Sequence, residues 1–220
     1  MSPTADPAFV AAMEDVLKVY ERPYDPDYPV VCIDEASKQL LADTYVPQAV
    51  AAGQPAKVDH EYRRLGVRNL FMVCEPLANW REVTVTERRT QQDWAHLIKT
   101  LLDGRYKDAK KVVLVMDNLN IHSAAALYAA FPPEEASRLW ERLEVHYTPK
   151  HGSWLDMAEI ELSVLTKQCL NRRISDATIL TKETTAWYTD RNSKQATVNW
   201  HYTTEAARVK LKHLYPSLEG

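Results

Sequence analysis

Residues 111–122 read KVVLVMDNLNIH, and residues 30–40 read VVCIDEASKQL. In the first, an unbroken apolar run from Val112 to Met116 ends in Asp117. In the second, the run from Val30 to Ile33 ends in Asp34. A continuous apolar run suits a strand buried on both faces, the situation of a parallel strand covered by helices. In an open α/β sheet, ligands bind beyond the carboxyl ends of such strands. An acid can simply mark where a strand stops, and either aspartate alone would be read so. The two together, with Asn118, Asn120 and His122 after the second, predict a crevice with a site in it.

Outward from these strands the chain alternates. Residues 7–20 carry apolar side chains at helical spacing, with Asp6 as a candidate N-cap and Pro7 at the first helical position. ERPYDPDYP (21–29) is a linker. NLFMVCEP (69–76) and WREVTVTE (80–87) predict a hairpin of two strands, Leu70–Cys74 and Trp80–Thr86, whereas residues 42–66 are polar and irregular. Thr90 predicts a cap for a helix over 91–104. Further helices are expected over 123–130, 133–143, 157–170, 176–192 and 203–214, with a short strand over 145–147. Strands separated by helices predict a mixed α/β sheet with helices on both faces. Residues 1–28 are expected to be an N-terminal helix and linker, and 29–220 the main domain.

Composition narrows the classes. The 220 residues are 45% hydrophobic and 26% charged, ordinary for one soluble globular domain. No apolar run is long enough for a membrane span and the first residues lack a signal-peptide pattern, so a cytoplasmic protein is expected. Cys32, Cys74 and Cys169 have no metal-ligand spacing and read as buried free thiols. The net charge of −3 does not suggest a DNA-binding protein, which is usually basic. Basic pairs at Arg63-Arg64, Arg88-Arg89, Lys110-Lys111 and Arg172-Arg173, and the stretch from Arg208 to His213, read individually as solvated faces.

A third acid lies in HYTPKHGSWLDMAEIELSVL (146–165). A helix starting near Asp156 puts Glu159 in its first turn, where an acid also favours the helix dipole. Glu161 is its rival, about 200° round the helix, and periodicity does not choose between them. Asp156 is either the N-cap of this helix, with Glu159 as the far half of a capping box, or a fourth acid near the site. Three carboxylates suit Mg2+, which prefers oxygen ligands. Two such ions about 4 Å apart can stabilise both the attacking and the leaving oxygen of a phosphodiester.

The three quoted blocks resemble those of DDE transposases, and most resemble the bacterial insertion-sequence branch of the Tc/mariner superfamily (the insertion sequence 630 type). The resemblance runs from about residue 8 to residue 216. Its most specific parts are the proline, Ser-Trp-Leu and glutamate-bearing helix of the third block, and the Asp-Asn followed by His122 in the second.

That resemblance implies a ribonuclease-H-like fold and a transposase that cleaves transposon ends and transfers the strands into target DNA. Asp34, Asp117 and Glu159 would be its catalytic, metal-binding residues, with two Mg2+ or Mn2+ ions per site; here the choice falls on Glu159 over Glu161. Asn118 and His122 would position DNA or a metal-bound water, and Lys150, His151 and Ser153 would contact phosphate oxygens of the DNA. It further implies DNA as partner, a homodimer, a bacterial, nucleoid-associated location, and a helix-turn-helix recognition region that is separate or missing. The sequence departs from the family at Asp156-Met157, where relatives commonly carry Asn, often followed by Pro. A nuclease of the same fold, or a catalytically silent binding or assembly module, are the competing expectations.

Overall fold

A computed structural model describes residues 6–44 and 61–216. Among these, five strands form one sheet: β1 Val30–Asp43, β2 Tyr62–Glu75, β3 Trp80–Thr86, β4 Val112–Met116 and β5 Leu143–Tyr147. Their spatial order is β3-β2-β1-β4-β5; β1, β2 and β3 pair antiparallel, while β4 runs parallel to both β1 and β5. The helices are α1 Pro7–Tyr20, α2 Gln91–Asp103, α3 Ala124–Ala130, α4 Pro133–Glu141, α5 Met157–Leu165, α6 Ala177–Ser193 and α7 Thr204–Lys210.

The strand period of two sorts the core into two layers. Val30, Cys32, Leu70, Met72, Cys74, Val113 and Val115 face α1, α5 and α6. Val31, Ile33, Phe71, Val73, Val112, Leu114 and Met116 face α2, α3 and α4. The sheet is therefore covered on both sides, which is why its central strands read as continuous apolar runs. Met13, Val16, Leu17 and Val19 of α1 belong to the first layer, so this helix shares the core of the sheet.

Local signals fix several ends. Asp6 accepts from the N–H groups of Ala8 and Phe9, and Thr90 and Asp93 close a reciprocal capping box. Other ends differ from the sequence expectation. β1 does not stop at Ile33; it continues to Asp43, with a register shift between Gln39 and Leu41. β2 starts at Tyr62, and its first six residues are exposed. The outer halves of these two strands form an arm that buries too little to leave an apolar pattern in the sequence. Residues 45–60 of the irregular stretch lie outside the described residues. The helix expected to run to 170 keeps regular turns to Leu165 and continues as a wider π-type turn over Thr166–Leu170. Cys32 and Cys74 are buried opposite each other in the β1–β2 register, while Cys169 is only half-buried; all three are free. No described helix is long and apolar enough to cross a membrane.

Candidate active site

The parallel pairing of β1 with β4 places the crevice. Val30, Val31 and Cys32 pair with Val113, Leu114 and Val115. Continuing that register brings Asp34 level with Asp117, just past the end of β4. Asp34 is thus mid-strand, a correction to its reading as a strand-end acid; what ends there is its neighbour β4. By alternation Asp34 points to the same layer as Cys32, the layer that holds α5. α5 packs across β1 and β2 and carries Glu159 in its first turn.

The charges of these acids reach one another. Burial, first, raises the Asp34 carboxyl, which sits at about 6. The Glu35 N–H, 2.8 Å from Asp34 Oδ1, works against this, and the charges of Glu35, Asp117 and Glu159 add to it. Asp156 is buried too, and its carboxyl lies well above its ordinary range: burial comes first, then the influence of Cys32 and Asp34, against the pull of the Ala158 N–H. Asp156 Oδ1 caps α5 by accepting from Ala158 N–H at 2.8 Å. Asp156 is therefore the N-cap of α5, as one sequence reading had it, and it lies where the charges of Asp34 and Asp117 act on it. The far half of the capping box is not formed: Glu159 Oε2 is buried without a hydrogen-bond partner.

This gives a pH-dependent expectation. An acid raised on folding contributes no penalty below its unfolded value of about 3.9, and destabilises increasingly as pH rises toward its folded value. Asp156→Asn keeps the Oδ1 acceptor and removes the charge. Without divalent ions it should melt above the wild type at pH 7, with the gain vanishing near pH 4. Equal melting temperatures for the two proteins across that range would refute the assignment.

Glu161 is fully buried in a different cluster. Its Oε1 receives Arg81 and Arg191, each at 3.0 Å, and Arg81 also donates to the carbonyls of Asn79 and Ala196. Asn192 on α6 clasps the Arg81 backbone in both directions. Glu161 thus points away from the crevice, toward β3 and α6. Sequence reasoning missed this clamp, yet a signal existed: Arg81 stands at an inward position of β3, alternating with Val83, and an inward arginine requires a buried acceptor.

Asp117 sits in the loop after β4, half-buried. Five residues on, His122 turns back to it. Nδ1 lies 3.0 Å from the Asp117 carbonyl oxygen and 2.8 Å from its Oδ1, and the N–H is directed at the carbonyl. Nε2 lies 2.7 Å from Glu35 Oε1. Burial pushes the ring's pKa down, but the hydrogen bonds with Asp117 and Glu35 more than reverse this, holding it at about 10. His122 is 1% exposed. The expectation of a DNA contact at His122 is corrected on that ground: a buried ring with both nitrogens engaged has none to offer a phosphate. Glu35 was not singled out from sequence, although it directly follows Asp34. Asn118, Lys150, His151 and Ser153 are exposed, the last three on the loop before α5.

Glu35, Asp117 and His122 offer one ligand atom each within 4.8 Å, a group that could hold a metal ion. In the arrangement seen they are bonded to one another. The free ligand oxygens lie elsewhere: Asp156 Oδ2 and Glu159 Oε2 are buried without hydrogen-bond partners. Buried carboxylate oxygens without a donor form a site short of positive charge, and a hard divalent cation with oxygen preference fits it.

Residues 29–181 match the family described as DDE superfamily endonuclease. The chain belongs to that family. No curated protein matches it closely enough to add to this. Among solved structures, the chain resembles the catalytic domain of Mos1 mariner transposase at 15% identity, covering 94% of this chain and 93% of that one, with a TM-score of 0.54. The Mos1 strand transfer complex gives a TM-score of 0.62 at 14% identity, and the Mos1 paired end complex with Mn 0.57 at 16%. These likenesses show the fold, which is ribonuclease-H-like. The last two matches cover 96% and 93% of this chain but span only 62% of the transposase chain in each.

Proposed function

We propose that this domain is the catalytic part of a transposase of the bacterial insertion-sequence branch, cutting transposon ends and joining them to target DNA. The observation that carries it is one crevice where Asp34 on β1 feels the charges of Asp117 after β4 and Glu159 on α5. The DNLNIH and SWL motifs support the branch. Asp34, Asp117 and Glu159 would hold two Mg2+ or Mn2+ ions. Such ions supply Lewis acidity at the scissile phosphate.

The chain's own part is positioning. β1 fixes Asp34 through its pairing with β2, and α5 fixes Glu159 through its buried face. Exposed Asn118, Lys150, His151 and Ser153 would steady phosphate oxygens next to the crevice. Catalysis of phosphoryl transfer depends on such placement and on stabilising charge. Recognition of the ends would fall to a helix-turn-helix region separate from this domain, with a homodimer bringing two ends together at the bacterial nucleoid.

The test is nicking of supercoiled DNA with Mg2+ or Mn2+, comparing the wild type with Asp117→Asn, followed by strand transfer with pre-cut ends. Metal-dependent nicking and joining by the wild type alone are expected. Nicking without joining would reduce the function to that of a nuclease, and no nicking by either would leave a silent module.

DNA affinity should rest on phosphate contacts, since the net charge is −3. It should fall steeply with salt, each contact adding roughly −0.9 to the log–log slope. Tight, sequence-selective binding that persists at high salt would contradict this.

A further inference from the structure

Asp34 and Asp117 are held very differently. Asp34 lies within β1, paired with Met72 of β2, and its Oδ1 takes the Glu35 N–H. Asp117 follows the last residue of β4 and has no sheet partner to direct its side chain. A carboxylate on a loop can sample several directions, and ligand groups act well only when their orientation is fixed.

His122 supplies what the loop lacks. The turn closes through His122 N–H donating to the Leu119 carbonyl at 2.9 Å. The ring then reaches Asp117 with one nitrogen and Glu35 with the other. Glu35 neighbours Asp34 in sequence but points to the opposite layer, with Ile33 and Phe71. The ring is held from behind by Trp94, 5.7 Å between centroids, and the His122 carbonyl accepts from the Tyr147 hydroxyl at 2.6 Å. Every direction of the imidazole is thus set by β1, α2 or β5, and it transmits that rigidity to Asp117.

We infer that His122, anchored on Glu35, is a positioning residue that aims the Asp117 carboxylate into the crevice. The inference rests on the reading of Asp117 as a metal ligand given above. His122 neither touches substrate nor binds the ion. It links the layer behind the sheet to the loop in front of it, so that Asp34 and Asp117 keep a constant relation although only one lies in a strand.

Mn2+ binding by the full chain without DNA, read as loss of the free-ion signal in electron paramagnetic resonance, tests this together with the metal requirement of nicking. His122→Ala should weaken Mn2+ binding about 10- to 100-fold and shift nicking to correspondingly higher Mn2+, with much of the rate recovered at saturation. His122→Asn, whose amide N–H can stand near the Nδ1 position, should recover part of the affinity, and Glu35→Gln should weaken it in the same direction. A folded His122→Ala protein with wild-type Mn2+ binding overturns the inference. So does one that binds as little as Asp117→Asn, because His122 would then be a ligand. If His122→Ala does not fold, wild-type affinity in both His122→Asn and Glu35→Gln overturns it. A wild type that binds no Mn2+ overturns the metal reading itself, a separate outcome seen before any variant is compared.

Discussion

Glu159→Gln should lower metal-dependent nicking by at least about a hundredfold to a thousandfold, the scale on which a single preorganised electrostatic group acts in catalysis. Its melting temperature should not fall. Glu159 is half-buried at the start of α5, its Oε2 has no hydrogen-bond partner, and its charge adds to the repulsion at Asp34. Removing that charge relieves the metal-free protein while depriving it of an oxygen with which to hold a cation. Nicking and thermal melting on the same preparation decide the matter. Retained nicking with Mg2+ would remove Glu159 from the site.

Two residues further on, the expectation reverses. Glu161→Ala should destabilise the fold by about 3–5 kcal/mol, the cost of removing one partner of a buried ion pair. Arg81, 1% exposed at its side chain, would be left without its acid, and Arg191 would lose the same contact. Against a typical total of about 5–15 kcal/mol, that is a large share. Glu161→Gln retains an acceptor oxygen and should fall between the two. Urea unfolding measures the effect, and an unchanged midpoint for Glu161→Ala would show that the clamp contributes nothing. The pair of neighbouring glutamates should thus separate into one whose loss lowers nicking and one whose loss weakens the fold.

Much of this fold could be read from sequence where burial is complete. Val30–Ile33 and Val112–Met116 are enclosed on both sides, and no polar residue interrupts them. The helix starts at Pro7 and Gln91 were legible because Asp6 and Thr90 bond the first turn. The outer arm of β1 and β2 was not legible, because its residues are held by backbone pairing and face solvent on much of their surface. Sequence periodicity reports burial, and an exposed ladder leaves no such trace.

The site divides in the same way. Asp34 and Asp117 announced themselves as acids after apolar runs. Periodicity alone did not separate Glu159 from Glu161, because the deciding partners, Arg81 and Arg191, lie 80 and 30 residues away along the chain. His122 was noticed as a polar residue near Asp117, but its burial and its bond to Glu35 depend on β1 and on the loop after β4 meeting in space.

The clamp around Glu161 has a consequence for how such chains can change length. α5 packs on β1 and β2, and Glu161 ties it further to Arg81 on β3 and Arg191 on α6. The two-residue step from Glu159 to Glu161 has no freedom to change. One residue inserted between them turns one carboxylate about 100° relative to the other, and the helix can then serve the clamp or the crevice, but not both. That interval is a gauge block, the one spacing in α5 on which both the clamp and the aim of Glu159 depend.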